Sequence, residues 1–148
     1  IDRVSQGSVL YPLVVGGCFY AASWANSDLF FYLPILILAI CDPIACLIGR
    51  RFQLRKFSIG QTQKSWGGSS AFFLFAFILS YFFLSSEADF GYYQSAFWTA
   101  ILVALATTFA EAISGKGYDN LTIPLAALAI LYSLKEQPKI YAWAHFVF

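Results

Sequence analysis

Five long apolar stretches constrain this chain more than any other feature. A helix needs about 20 mostly apolar residues to cross the hydrocarbon core of a bilayer. Backbone exposed to lipid must satisfy its hydrogen bonds internally, so such stretches fold as helices. They comprise residues 9–24, 29–48, 71–84, 96–113 and 121–134, and residues 140–148 resemble the start of a further, truncated span.

The composition indicates the same class of protein. Hydrophobic residues make up 59% of the 148 positions and charged residues 11%, whereas soluble domains carry about 25% charged residues. Apolar runs without a polar face also argue against a soluble helical bundle. We therefore predict an all-α, multi-pass transmembrane bundle of about five spans plus a truncated sixth, with a basic cytoplasmic loop. The net charge of +1 gives no indication of nucleic-acid binding.

Basic residues are distributed unequally between the two sides of the predicted bundle. One arrangement puts the N-terminus and the loops after the second and fourth stretches on one side. That side then holds seven of the nine Lys and Arg residues: Arg3, Arg50, Arg51, Arg55, Lys56, Lys64 and Lys116. By the positive-inside rule, we expect these loops to face the cytoplasm.

The loop after the second stretch combines basic residues with Gly and Ser. Arginines after a span act as a topology signal or contact anionic lipids. Here, however, the third stretch is directly preceded by a lysine with small residues, namely Lys64, Ser65, Gly67, Gly68 and Ser69. Backbone N–H groups at a helix N-terminus, with a lysine beside them, suit a phosphate. The order differs from that of a Walker A loop.

Asp42 is an acid within an apolar stretch. It precedes Gly49 by seven positions, which places it about 10 Å inside the end of the second span. A carboxylate at that depth costs about 2.5–3.5 kcal/mol on insertion scales and usually faces a cavity or a partner. Pro43 removes a backbone donor, so we expect a kink or break beside the acid. The alternative is a buried aspartate satisfied by a neighbouring polar side chain.

Two further acids belong to the same predicted face as Asp42. Glu111 ends the fourth stretch, while Asp119 and Asn120 open the fifth. Asp119 could simply cap that helix. Three acids beside a basic Gly/Ser loop nevertheless suit Mg²⁺-assisted phosphoryl or nucleotidyl transfer, because Mg²⁺ is held by one or two carboxylates plus substrate phosphates.

The three cysteines are not spaced as disulfide partners or metal ligands usually are. Cys18, Cys41 and Cys46 lie in apolar stretches, without Cys-x-x-Cys or Cys/His spacing. We expect them to be buried structural thiols, not disulfide partners or zinc ligands.

Several motifs together resemble the polyprenol kinase family, which includes the phytol kinases and the dolichol kinases. They are Asp42-Pro43-x-Ala45-x-x-x-Gly49-Arg50-Arg51-Phe52, Lys64-Ser65-x-x-Gly68-Ser69, and Glu111 followed by Asp119-Asn120-Leu121-Thr122-Ile123-Pro124-Leu125. The resemblance implies a multi-pass membrane enzyme that uses CTP and a divalent metal to phosphorylate a long isoprenoid alcohol. Its partners are then the isoprenoid lipid, CTP and membrane lipids.

On this interpretation each motif has a role. Asp42 and Asp119 help to hold Mg²⁺, and Asn120 orients the phosphates or Asp119. Glu111 either supports its neighbours or is the base for the lipid hydroxyl. The residues predicted to bind the nucleotide are Lys64 with Arg50 and Arg51, together with Gly49, Ser65, Gly67, Gly68 and Ser69.

Two other functions remain open at the level of sequence. CDP-diacylglycerol synthases, which transfer CMP from CTP to phosphatidic acid, share part of the pattern, although their acid-rich C-terminal signature is not recognisable here. A transporter could use intramembrane acids as a proton or ion relay, but the acids cluster at one face. We expect residues 1–148 to form one transmembrane catalytic domain of a longer chain, lacking spans that precede Arg3.

Overall fold

The computed structural model describes residues 6–52, 55–59, 62–87, 93–115 and 117–135. Its helices and strands, in chain order, are α1 (Gln6–Ala25), α2 (Leu29–Leu36), a π-helical segment (Ile37–Cys41), α3 (Asp42–Arg51), β1 (Lys56–Ile59), β2 (Thr62–Ser65), α4 (Trp66–Ser86), α5 (Tyr93–Ile113) and α6 (Asp119–Lys135). The predicted span at 140–148, Arg3 and Lys116 lie outside the described residues.

The predicted all-α membrane bundle is confirmed. Within the described part of the chain, three helical segments are long and apolar enough to cross a membrane: Leu29–Arg51, Trp66–Ser86 and Ala96–Ile113. The first joins α2, the π segment and α3. The apolar part of α1, Val9–Ala25, is shorter. The 17 residues of α6 extend for about 26 Å, slightly less than the roughly 30 Å of a hydrocarbon core.

Small residues allow the central helices to pack closely. Helix α5 packs against both α4 and α6, and Ala96, Ala100 and Ala104 on α5 are fully buried. Small side chains bring helix backbones together where lipid supplies no hydrophobic driving force. The buried positions continue along α5 through Thr107 to Glu111. The row of buried residues on α5 therefore ends in polar side chains, and Glu111 places a carboxylate inside the bundle.

The helix that contains Asp42 is irregular but unbroken. The π segment ends at Cys41, and α3 begins at Asp42 with Pro43 in its first turn. Pro43 has no N–H to donate to the carbonyl four residues earlier, and its ring would clash with that carbonyl in a regular α-helix. Single π turns of this kind occur frequently at functional sites. The expected irregularity therefore takes the form of a wider turn that precedes the proline.

The predicted basic loop contains a β-hairpin. Strands β1 and β2 pair antiparallel, with Lys56 opposite Ser65 and Phe57 opposite Lys64. The sequence KFSI alternates polar and apolar residues, which is the period of a strand. The rings of Phe57 and Trp66 lie 5.3 Å apart and connect the hairpin to the start of α4. The predicted basic loop did not include this hairpin, whose strands have only four residues each.

Candidate active site

A polar cleft of about 640 Å³ lies at one end of the bundle. Its walls come from α3, the hairpin, the N-terminus of α4, the C-terminal end of α5 with the loop that follows, and the N-terminus of α6. The lining residues are Asp42, Ala45, Cys46, Gly49, Arg50, Lys56, Gln63, Lys64, Ser65, Gly68, Ser69, Glu111, Ser114, Gly115 and Asp119. We call this space the polar cleft.

Most of the residues singled out from sequence meet in this cleft. It is lined by Asp42, Gly49, Arg50, Lys64, Ser65, Gly68, Ser69, Glu111 and Asp119. Three others, Arg51, Gly67 and Asn120, are not among its lining residues. Each is a direct neighbour of a lining residue. One step along an α-helix turns the side chain by about 100°, so adjacent residues point in different directions.

An ion pair joins the hairpin to the membrane bundle within the cleft. Lys64 Nζ donates to Glu111 Oε1 at 2.5 Å. The Glu111 side chain is 6% exposed and that of Lys64 19%, so the carboxylate is buried while the ammonium retains access to the cleft. Ser69 Oγ lies 3.4 Å from Glu111 Oε2 and donates to it. Three elements, β2, α4 and α5, therefore meet at one carboxylate.

Two glycines allow α3 to approach the N-terminus of α4. A Cβ atom at Gly49 would lie 2.7 Å from Ser65 Oγ, and one at Gly68 would lie 3.0 Å from the Ala45 carbonyl oxygen. Ser65 also caps α4, since its Oγ accepts a hydrogen bond from the Gly68 N–H at 3.1 Å. The Gly68 amide thus has a protein partner, and the packing explains why both positions are glycine.

Asp42 and Asp119 reach the cleft from helices that are distant in sequence. Asp42 begins α3 and Asp119 begins α6, and the charged groups that interact electrostatically with Asp42 are Asp119, Lys64 and Glu111. Among the described residues no group of three or more His, Cys, Asp or Glu side chains is placed to hold a metal ion. Two carboxylates facing one cleft nevertheless fit Mg²⁺, which completes its shell with water and substrate phosphates.

The start of α6 is fixed by hydroxyl groups that sequence reasoning missed. Ser114 Oγ and Thr122 Oγ1 are hydrogen-bonded to each other across the loop between α5 and α6, and Thr122 Oγ1 donates to the Tyr118 carbonyl at 3.1 Å. Asp119 is the first residue of α6, and its Oδ1 accepts from the Asn120 N–H at 3.0 Å. A capping side chain accepts from an N–H two or three positions further on, so this contact with the adjacent amide does not make Asp119 the cap of α6. The Leu121 and Thr122 N–H groups donate to the Tyr118 carbonyl instead.

Six of the cleft residues were not predicted as site residues: Ala45, Cys46, Lys56, Gln63, Ser114 and Gly115. Lys56 and Gln63 belong to the hairpin, and the pairing of β1 with β2 places Lys56 opposite Ser65. Cys18 and Cys41 are buried as expected, but Cys46 is exposed. The prediction of a buried thiol is wrong for Cys46 because its side chain faces the cleft, one position after the buried Ala45.

Known proteins similar to this chain are phytol kinases. A phytol kinase of Synechocystis sp. is 31% identical over 136 residues, which are 90% of this chain and 56% of the relative. A probable chloroplastic phytol kinase of Triticum aestivum is 31% identical over 131 residues, 84% of this chain and 43% of the relative. Phytol kinase 1 of Arabidopsis thaliana, also chloroplastic, is 29% identical over 145 residues, 89% of this chain and 47% of the relative.

The chain spans about half the length of the curated relatives it matches. No protein-family model and no solved structure matches it. The similarity extends along most of this chain. These similarities support the assignment of the chain to the polyprenol and phytol kinase family.

Proposed function

We propose that the protein phosphorylates the hydroxyl group of a long-chain isoprenoid alcohol with CTP, at the cytoplasmic face of the membrane. The observation that carries the proposal is the polar cleft itself. It brings three carboxylates, two lysines and an arginine together at the end of an apolar helical bundle. The likeness to phytol kinases favours an isoprenoid alcohol as the acceptor, and the resemblance of the motifs favours CTP as the donor.

Lys64 and Arg50 would bind the triphosphate. Both line the cleft, and a cation that donates hydrogen bonds to phosphate oxygens forms the strong, charge-assisted kind. Lys64 retains access to the cleft although it is paired with Glu111. Arg51 is not a lining residue, so we assign the phosphate contact to Arg50. Ser65 and Gly68 shape this wall through the cap of α4 and its close packing on α3.

Asp42 and Asp119 are the residues that would hold a magnesium ion. When bound, the ion would neutralise charge on the phosphates of the donor. The two aspartates are near enough to interact electrostatically, and a cation between them would relieve their mutual repulsion.

The location of the cleft suits an acceptor that is itself a lipid. The cleft lies at the ends of membrane-spanning helices, so an alcohol could place its hydroxyl there while its chain stays in hydrocarbon. In the reaction, the hydroxyl oxygen attacks the γ-phosphorus, the bond to the β-phosphate oxygen breaks, and CDP leaves. The hydroxyl proton passes to a cleft carboxylate, for which Asp42 and Asp119 are both candidates.

The test is product analysis with two labelled forms of CTP. The full-length protein in lipid nanodiscs is supplied with phytol, or with a longer polyprenol, and with CTP carrying label at either the γ- or the α-phosphate. We expect γ-label in a prenyl phosphate and α-label in CDP. Heat-inactivated protein and nanodiscs without alcohol provide the background.

Two results would contradict the proposal. The appearance of α-label in phosphatidic acid-derived lipid, with release of pyrophosphate, would instead indicate a cytidylyltransferase. The absence of turnover with every lipid acceptor would exclude both enzymes. Replacement of CTP by ATP, GTP or UTP in parallel reactions tests the choice of nucleotide separately from the choice of acceptor.

A further inference from the structure

Within the described part of the chain, Glu111 has protein partners at both of its carboxylate oxygens. Oε1 accepts from Lys64 Nζ at 2.5 Å, and Oε2 accepts from Ser69 Oγ at 3.4 Å. The residue is 5% exposed, whereas Asp42 and Asp119 are both partly exposed. A base that accepts the proton of a substrate must reach that proton directly or through one water. Glu111 also lines the cleft, but a substrate proton would have to compete with Lys64 and Ser69 for its oxygens.

The position of Lys64 explains why such a carboxylate is needed. Lys64 belongs to strand β2, which is paired only with β1 among the described strands. A two-stranded hairpin is marginally stable at best without further support. The ion pair connects this hairpin to α5, a helix that packs against both α4 and α6. Through this ion pair, Glu111 fixes the position of the Lys64 ammonium relative to the helices of the bundle.

We propose that Glu111 is a positioning residue, which holds the Lys64 ammonium in the polar cleft for the phosphates of the nucleotide. It is not the base for the acceptor hydroxyl. This role rests on the proposed function, because it assigns Lys64 to the nucleotide. It resolves the two roles that the sequence left open for Glu111, and it leaves Asp42 and Asp119 as the candidate bases. Ser69 acts with Glu111 as the group that fixes its second oxygen.

A double-mutant cycle separates a positioning role from a catalytic one. Residues that act through one another have non-additive effects, while independent residues have effects that multiply. The variants are Lys64→Ala, Glu111→Gln and the double substitution, in the full-length protein in nanodiscs. Glutamine retains the size of the side chain and an oxygen acceptor but removes the charge that holds the ammonium.

Affinity for CTP is measured through Cys46, without any need for turnover. The Cys46 thiol lines the cleft and is exposed, whereas Cys18 and Cys41 are buried. Bound nucleotide should therefore slow alkylation of Cys46 by a maleimide. Replacement of the two buried cysteines by alanine removes the slow background alkylation at Cys18 and Cys41. The concentration of CTP that gives half-protection then reports the affinity of each variant.

We expect Lys64→Ala to weaken protection by CTP by about tenfold or more, in line with loss of a charge-assisted hydrogen bond. Glu111→Gln should weaken protection by about three- to tenfold, raise the KM for CTP by a similar factor, and leave kcat within about threefold of wild type. In the Lys64→Ala background, Glu111→Gln should change the affinity by less than about twofold.

Either of two results would overturn the inference. One is a kcat about 100-fold lower in Glu111→Gln with unchanged CTP affinity, since loss of a general base acts on the chemical step. The other is a double mutant in which the two effects on affinity multiply.

If CTP does not protect Cys46 of the wild-type protein from alkylation, the proposed function is contradicted as well. Protection that is equal in wild type and Glu111→Gln contradicts only the positioning role.

Two further variants test whether the changes in CTP affinity arise from a general loss of folded protein. Ser69→Ala removes the donor to Glu111 Oε2 and should give a smaller change in the same direction, because Lys64 retains its contact with Oε1. Glu87→Gln is the matched control, since Glu87 follows α4 at the opposite end of that helix from Ser69. It should leave protection by CTP unchanged.

Discussion

The two ends of the bundle each contain a lysine, but the lysines are held in different ways. At the cleft end, Lys64 is paired with the buried carboxylate of Glu111. At the other end, Lys135 Nζ donates to the Ala25 carbonyl and lies 5.3 Å from the centre of the Phe30 ring. Nearby, the Tyr132 hydroxyl donates to the Ala21 carbonyl at 2.7 Å. These contacts join the C-terminal end of α6 to α1 and α2.

The difference shows how similar side chains can serve binding at one end and packing at the other. Lys135 interacts with a backbone carbonyl and an aromatic face, which are fixed parts of the bundle. Lys64 borders a cleft that also contains Asp42 and Asp119, where a ligand can compete for its remaining donors. We therefore expect substitutions at the cleft end to change turnover and nucleotide affinity, and substitutions at the other end to change stability alone.

The largest effect is expected from removal of a charge at the cleft end. Asp42→Asn should lower turnover of labelled CTP by about 100-fold or more, because it removes a candidate metal ligand and base. The matched control is Asp28→Asn, at the opposite end of the same long helix, where turnover should stay within about twofold. If Asp42→Asn inserts normally and retains turnover, Asp42 is not part of the site.

The next effect compares the two lysines directly. Lys64→Ala should raise the half-protecting concentration of CTP by about 10- to 100-fold, the range expected for loss of one charge-assisted hydrogen bond of about 1.5–3 kcal/mol. Lys135→Ala should leave that concentration unchanged and lower the melting temperature in detergent. Equal effects of the two substitutions on CTP affinity would remove the distinction between the ends.

A pair of glycine substitutions sharpens the comparison through packing. Gly49→Ala should destabilise the protein by about 1–3 kcal/mol, since the new Cβ would overpack against Ser65 Oγ at 2.7 Å. Gly16→Ala in α1 meets nothing within 4 Å and should be neutral or stabilising by up to about 1 kcal/mol. Thermal unfolding monitored by circular dichroism measures both. A stable Gly49→Ala protein would show that α3 and α4 can separate freely.

The smallest effect is expected at the end opposite the cleft. Tyr132→Phe removes the hydrogen bond to the Ala21 carbonyl and should cost about 1 kcal/mol of stability, with no change in CTP affinity. Tyr32→Phe, which alters a tyrosine that is 51% exposed, is the control and should have no measurable effect. A change in nucleotide affinity in Tyr132→Phe would indicate that the two ends are coupled.

Much of the site was predictable because each part has a local signature. Asp42 is noticeable as an acid in an apolar stretch, and the Gly/Ser run next to Lys64 marks a helix N-terminus. The distinction between Arg50 and Arg51 was not predictable, because it depends on how α3 is rotated about its axis. The place of Lys56 in the cleft was not predictable either, because it depends on the pairing of β1 with β2.

The sequence by itself determined the class of fold and the candidate acids. Apolar stretches of this length must become helices in lipid, and an acid within one must face a cavity or a partner. Only the tertiary structure decided which groups meet. Glu111 pairs with Lys64 across 47 positions of sequence because the buried alanine stripe fixes how α5 packs. Contacts between distant segments depend on the rotation and depth of every helix, and residue types alone do not specify these.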